Sequence, residues 1–220
     1  MNRTLTALAL VTTVVATPAG CDRPAPPASS SATSVGSTGT PGLATARVDV
    51  AAVRAELAAL TVSAEDTGNH YRRADWPHWD QVGGGCDARE NALRTQGAGV
   101  RVGAGCRITG GTWISPYDGV TVTTPGALDI DHLVPLAEAA RSGTRAWSIA
   151  QRERYANDPG VLVAVTAKSN RSKGDQDPAR WLPARDRCGY VARWVAVKHR
   201  YGMTVDRAER AAITGVLNHC

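Results

Sequence analysis

Leu128-Asp129-Ile130-Asp131-His132-Leu133-Val134-Pro135-Leu136 is the stretch on which the reading of this chain turns. Alternating apolar and acidic residues that run into a proline predict a short strand over 128–134, with an Asp–His pair at its end. Further on, Val161-Leu162-Val163-Ala164-Val165-Thr166 is a compact β-branched run and predicts a second strand. It leads into Ala167-Lys168-Ser169-Asn170-Arg171-Ser172-Lys173, read as the approach to a helix with a basic first turn. Two strands and a helix that bring Asp, His and Asn together suit a hydrolytic metal site. Asp and Asn offer hard oxygen ligands of the kind Mg2+ takes. A neutral His, with an ordinary pKa of about 6.5, can accept a proton from an attacking water.

Outward from this pair of strands, apolar spacing predicts helices over 49–59, 87–95, 136–141, 148–156, 186–200 and 206–217. The β-branched stretch 106–124, broken by Pro116-Tyr117-Asp118-Gly119, predicts a strand, a turn and another strand. The fold class is therefore α+β, with helices and strands in irregular order. The chain has 220 residues, room for one ordinary domain. Its 43% hydrophobic and 20% charged content excludes wholesale disorder.

The net charge of +5 is unevenly spread. Residues 47–140 hold 8 basic and 12 acidic side chains, whereas 141–210 hold 15 basic and 7 acidic. Such asymmetry suits an anionic partner, either nucleic acid or a membrane surface, and charge alone does not choose between them.

Residues 1–20 read as a signal peptide, with Arg3 before an apolar stretch too short to span a membrane, which takes about 20 residues. Cys21, directly after Ala19-Gly20, is the candidate lipidation site, with plain secretion after Ala19 as the alternative. Residues 21–46 are rich in Pro, Ser, Thr and Gly and read as a disordered tether. The folded domain is then 47–220. Export places Cys86, Cys106, Cys188 and Cys220 in an oxidising compartment, so two disulfides are expected. Three connectivities are open. The sequence-local one, Cys86–Cys106 with Cys188–Cys220, is favoured, each bridge being worth about 3 kcal/mol.

Asp131-His132 with Pro135, then Asn157, then Asn170 with Lys173, resembles the His-Asn-His/Asn (HNH, ββα-metal) endonuclease motif. More narrowly, the chain is similar to secreted actinobacterial HNH proteins akin to the C-terminal domain of GmrSD-type restriction enzymes. Tyr71-Arg72-Arg73, Trp79-Asp80, Gly111-Thr112-Trp113, Ala156-Asn157-Asp158-Pro159 and Trp181-Leu182-Pro183 extend the likeness. The resemblance implies a ββα-metal core embedded in further helices and short strands and stapled by disulfides.

It also implies roles. His132 would be the general base, with Asn157 beside it in the catalytic set, fixing the loop between the strands. Asp131 and Asn170 would hold one divalent ion. Arg171 and Lys173, at the start of the helix, would touch the substrate phosphate. Asn170 stands where many relatives carry His, which implies Mg2+ or Mn2+ rather than Zn2+ or Ni2+.

The function expected is an exported or surface-tethered bacterial endonuclease. It would act on DNA, or RNA in the alternative, as a monomer of low sequence specificity, touching the membrane only through a lipid on Cys21. A non-catalytic nucleic-acid-binding or uptake module and a cell-envelope lipoprotein of other function stand as alternatives. Asp129, His70, His78, His199 and His219 read as paired or solvated side chains, and Trp181, Trp194 and Tyr190 as core.

Overall fold

The helices begin where side chains can hold their first free N–H groups. The computed structural model describes residues 48–68 and 70–220, so the expected signal peptide, tether and lipidated Cys21 lie outside the described residues. Asp49 caps α1 (Val50–Ala59), accepting from the Ala52 N–H at 3.0 Å. Capping boxes open α2 (Ala88–Gln96), α4 (Ile149–Ala156) and α7 (Arg207–Leu217), built on Asp87/Glu90, Ser148/Gln151 and Asp206/Glu209. Between them lie α3 (Leu136–Arg141), α5 (Ala167–Lys173) and α6 (Arg187–Arg200).

Three small antiparallel sheets complete the α+β architecture. The first joins β1 (Gln81–Gly83) to β2 (Cys86–Asp87). The second has the order β3 (Ala98–Val102), β4 (Ile108–Ile114), β5 (Thr121–Val122). The third pairs β6 (Leu128–His132) with β7 (Leu162–Thr166), which are joined through α3 and α4. Its register sets Asp129 opposite Val165, Asp131 opposite Val163 and His132 opposite Leu162.

This strand pair lies between two hydrophobic cores. Leu128, Ile130, Leu162 and Ala164 pack with Leu93 of α2 and with Ile108 and Trp113 of β4. Val163 and Val165, on the opposite face, join a larger core with Leu57, Tyr155, Trp194 and Ile213. Both faces of β7 are therefore covered, which explains why its sequence is apolar at every position but the last rather than alternating. Gly97 lets the chain pass Trp113, since a Cβ there would lie 2.5 Å from the indole nitrogen.

Both sequence-local disulfides are present, Cys86–Cys106 and Cys188–Cys220. The first ties β2 to the turn before β4, and the second ties the first turn of α6 to the residues after α7. Beneath α3, α6 and α7, Lys198 is fully buried. It donates to Glu138 (2.8 Å), Ser142 (3.0 Å), the Thr204 carbonyl (3.1 Å) and Glu209 (2.7 Å). Among the described residues no helix is long and apolar enough to cross a membrane.

Candidate active site

The β6–β7 pair and α5 form a β-β-α unit, and strand alternation divides its chemistry between two faces. Asp129 and Asp131 point toward α5, because Asn170 Nδ2 donates to Asp129 at 3.0 Å and Lys173 Nζ donates to Asp131 at 2.9 Å. His132 shares the other face with Leu128 and Ile130. The structure thus divides the expected Asp131, His132 and Asn170 set: Asn170 meets Asp129, and Asp131 meets Lys173.

His132 is 6% exposed, and its Nε2 lies 2.8 Å from the Ala156 carbonyl. A carbonyl only accepts, so Nε2 carries the proton and Nδ1 keeps its lone pair. Among the described residues Nδ1 has no hydrogen-bond partner. Burial, with Arg73 and Lys173 adding positive charge nearby, pushes the imidazole pKa down to about 3. The ring is therefore neutral across the physiological range and holds its acceptor ready.

Asp131 is 5% exposed and Lys173 0%. The Asp131 carboxylate takes the Tyr117 hydroxyl at 2.6 Å as well as the ammonium, which also bonds the His132 carbonyl at 3.0 Å. Burial drives the pair toward neutrality, raising Asp131 and lowering Lys173. The phosphate contact expected of Lys173 is therefore not what the structure places there, because its ammonium is enclosed and bonded to Asp131.

The position of the helix differs from expectation as well. The Thr166 hydroxyl accepts from the Ser169 N–H at 3.3 Å, so α5 starts at Ala167, and it ends at Gly174 with φ +57°. Arg171 and Lys173 consequently occupy its last turn, at the electronegative end of the helix rather than at its N-terminus. Arg171 is exposed. Asp118 fixes the junction by accepting from the hydroxyls of Thr166 (2.5 Å) and Ser169 (2.7 Å). Burial alone would raise its pKa, but these hydroxyls outweigh that and hold it low.

Asn157 acts across the other face as a clamp. Its Oδ1 accepts from the Asp80 N–H at 2.9 Å, while Nδ2 faces the Pro77 carbonyl (3.1 Å), the Asp80 carboxylate (2.9 Å) and the Glu153 carbonyl (2.9 Å). Its amide is used up in holding the 77–80 segment in place. That segment brings His78 and Trp79 beside His132, with ring centroids 6.4 and 6.0 Å away. No local signal pointed to this neighbour, which lies some fifty residues upstream. The signal for Asp129 was present in the alternation that puts it on the Asp131 face.

As metal donors, Asp129 and Asn170 fit a hard divalent ion: a carboxylate and an amide, side by side and only half-buried. Asp131 fits less well, since its oxygens already serve Lys173 and Tyr117. Glu65, Glu138 and Asp177 also come within 4.8 Å of one another. Both Glu138 oxygens, however, are occupied by Lys198, Ser142 and Arg141, which makes that cluster an ion-pair network.

Lys173→Met is expected to lower stability by about 3 kcal/mol by leaving the Asp131 carboxyl buried without its cation. Adding Asp131→Asn should restore at least half of that, measured by urea unfolding. A double variant no more stable than the single one would show that the pair does not act as a unit.

The profile of GmrSD restriction endonucleases, C-terminal domain, matches residues 107–216, which include the whole β-β-α unit but not the 77–80 segment. An "Uncharacterized secreted protein" of the fungus Arthroderma benhamiae is 42% identical over 168 residues, covering 74% of this chain and 82% of its own length. The likeness is thus not confined to actinobacterial proteins. No solved structure matches the chain. With half of its length under that profile, the chain belongs to the family of GmrSD restriction endonuclease C-terminal domains.

Proposed function

We propose that this protein is an exported HNH-type endonuclease that hydrolyses phosphodiesters of DNA, or of RNA, with a divalent metal. The observation that supports this best is the geometry of His132: Nε2–H anchored on the Ala156 carbonyl and Nδ1 left to accept. Nδ1 would take the proton of the attacking water. Asp129 and Asn170 would hold Mg2+ or Mn2+ from the α5 side, with Asp131 set behind them. When bound, such an ion supplies Lewis-acid stabilisation of the charge that develops on phosphoryl oxygens. β6 carries both sets, His132 on one face and Asp129 on the other. Arg171, exposed at the end of α5, is the phosphate contact on that side. The secreted fungal relative supports export, and a lipid on Cys21 would provide the tether.

The test is supercoiled plasmid with the purified protein. Cleavage is expected in Mg2+ or Mn2+ and none in EDTA. Asp129→Ala and Asn170→Ala should each lose about ten- to a hundredfold in rate and weaken Mn2+ binding in calorimetry. No cleavage in either metal would overturn the proposal. The engagement of Asp131 by Lys173 favours one second reading, a scaffold that binds nucleic acid without turnover. Binding of the plasmid with no cleavage in any of Mg2+, Mn2+, Zn2+ and Ni2+ would support it.

A further inference from the structure

Beside His132, on the face away from α5, one cation is held without a carboxylate. Arg73 is exposed, and its Nη2 donates to His78 Nε2 at 3.2 Å. His78 is set up to receive it. Its Nδ1 lies 2.8 Å from the Trp76 carbonyl and so must carry the ring proton, which leaves Nε2 as the acceptor. Among the described residues Arg73 makes no ion pair. Some surface arginines do, Arg72 with Asp75 at 3.0 Å, Arg145 with Asp66 at 3.1 Å and Arg200 with Asp158 at 2.9 Å, whereas others, such as Arg171 and Arg207, do not.

The backbone that carries this arrangement is strained and over-determined. Trp79 adopts φ +67°, unusual for a bulky side chain, and the Asn157 amide fastens the residues on either side of it. Backbone outliers of this kind persist only where the surroundings enforce them, and they cluster at functional sites. The outlier here fixes His78 and Trp79 against His132, and with them the guanidinium.

We propose that Arg73, held by His78, is a phosphate clamp that binds the nucleic-acid backbone beside His132. This deepens the nuclease reading and rests on it. A guanidinium with one N–H on an imidazole keeps four donors, enough for a bidentate grip on a phosphodiester. Arg73 lies outside residues 107–216, in the Tyr71-Arg72-Arg73 stretch of the wider sequence likeness.

The experiment measures binding of a fluorescein-labelled 12-base-pair duplex to the full protein in EDTA, where no turnover occurs. Arg73→Gln should weaken binding about tenfold and reduce the slope of log K against log salt by about 0.9, one phosphate contact. Arg73→Lys should fall between the two, keeping the charge but not the fork. Arg72→Gln, an equal loss of charge one residue away, should leave affinity and slope unchanged. Wild-type affinity and slope in Arg73→Gln, or equal weakening in Arg72→Gln, would overturn the clamp. Because the readout is binding, a protein that binds the duplex yet cleaves nothing would refute the nuclease reading while still testing Arg73. In cleavage assays Arg73→Gln should raise KM and leave kcat within about threefold, as for a contact made equally before and during the reaction.

Discussion

His132→Gln is expected to reduce plasmid cleavage by about a thousandfold while KM stays close to that of the wild type. Glutamine is chosen because it preserves the polar tie. Its amide N–H can reach the Ala156 carbonyl that now takes Nε2–H, so the buried carbonyl is not orphaned. What glutamine cannot do is accept a proton from water, since its carbonyl oxygen is far too weak a base. The loss should therefore fall on kcat, with the fold intact by circular dichroism. Asn157→Ala is a useful contrast. It removes the clamp on the 77–80 segment but leaves Nδ1 of His132 in place, so a smaller loss is expected from it. Equal cleavage by His132→Gln and wild type would place the chemistry elsewhere or reveal a contaminant.

Lys198→Met should be the most damaging single change to the fold, costing about 5 kcal/mol near neutral pH, because two buried carboxylates lose their shared cation. Glu138 would keep Arg141 (2.9 Å) and Ser142 (2.8 Å), whereas Glu209 would keep only the Trp194 indole N–H at 2.5 Å and the N–H of its own cap. At a few degrees of Tm per kcal/mol for a domain of this size, a fall of about 10–20 °C is expected by calorimetry. Within the wild type the same network gives stability a pH dependence. Burial, opposed by Lys198 and reinforced by Glu138, pushes Glu209 up to about 7 from an ordinary 4.5. Between those values the unfolded chain has already released the proton that the folded one retains. The contribution of this group to stability therefore falls as pH rises from 4.5 to about 7 and is level above that. Glu138 works in the opposite sense. Burial would raise it, but Lys198, Ser142 and Arg141 override that and hold it low, so its contribution is lost in acid. Glu209→Gln should remove the first slope and leave the second.

The parts of the fold legible in the sequence are those that local chemistry decides. Pro135 after an acidic–apolar alternation located β6, the unbroken β-branched run located β7, and Asp49, Ser148 and Asp206 marked the starts of α1, α4 and α7. Export and loop length together favoured the disulfide pairing that the structure has. β3 was missed because Ala98-Gly99-Val100-Arg101-Val102 is mostly exposed, with Gly99 at positive φ, and shows no alternation to read. At the site, residue types were legible but partners were not. Lys173 reads as a surface cation until the folded chain brings Asp131, 42 positions away and held by Tyr117, against it. Asn157 reads as a turn residue until Pro77 and Asp80 arrive from the far side of the sequence. His78 carries no motif that ties it to His132, and Arg73 enters only through the Tyr71-Arg72-Arg73 part of the family likeness.

The β6–β7 strand pair is a party wall: residues on its two faces belong to different cores. A domain built this way has no cheap partial opening that spares one half, so the two cores should melt cooperatively, in a single transition. The residues of the site sit on the element whose separation requires both cores to come apart. Heat should therefore not loosen the site ahead of the fold, and whatever this surface does, it should go on doing until the whole domain unfolds.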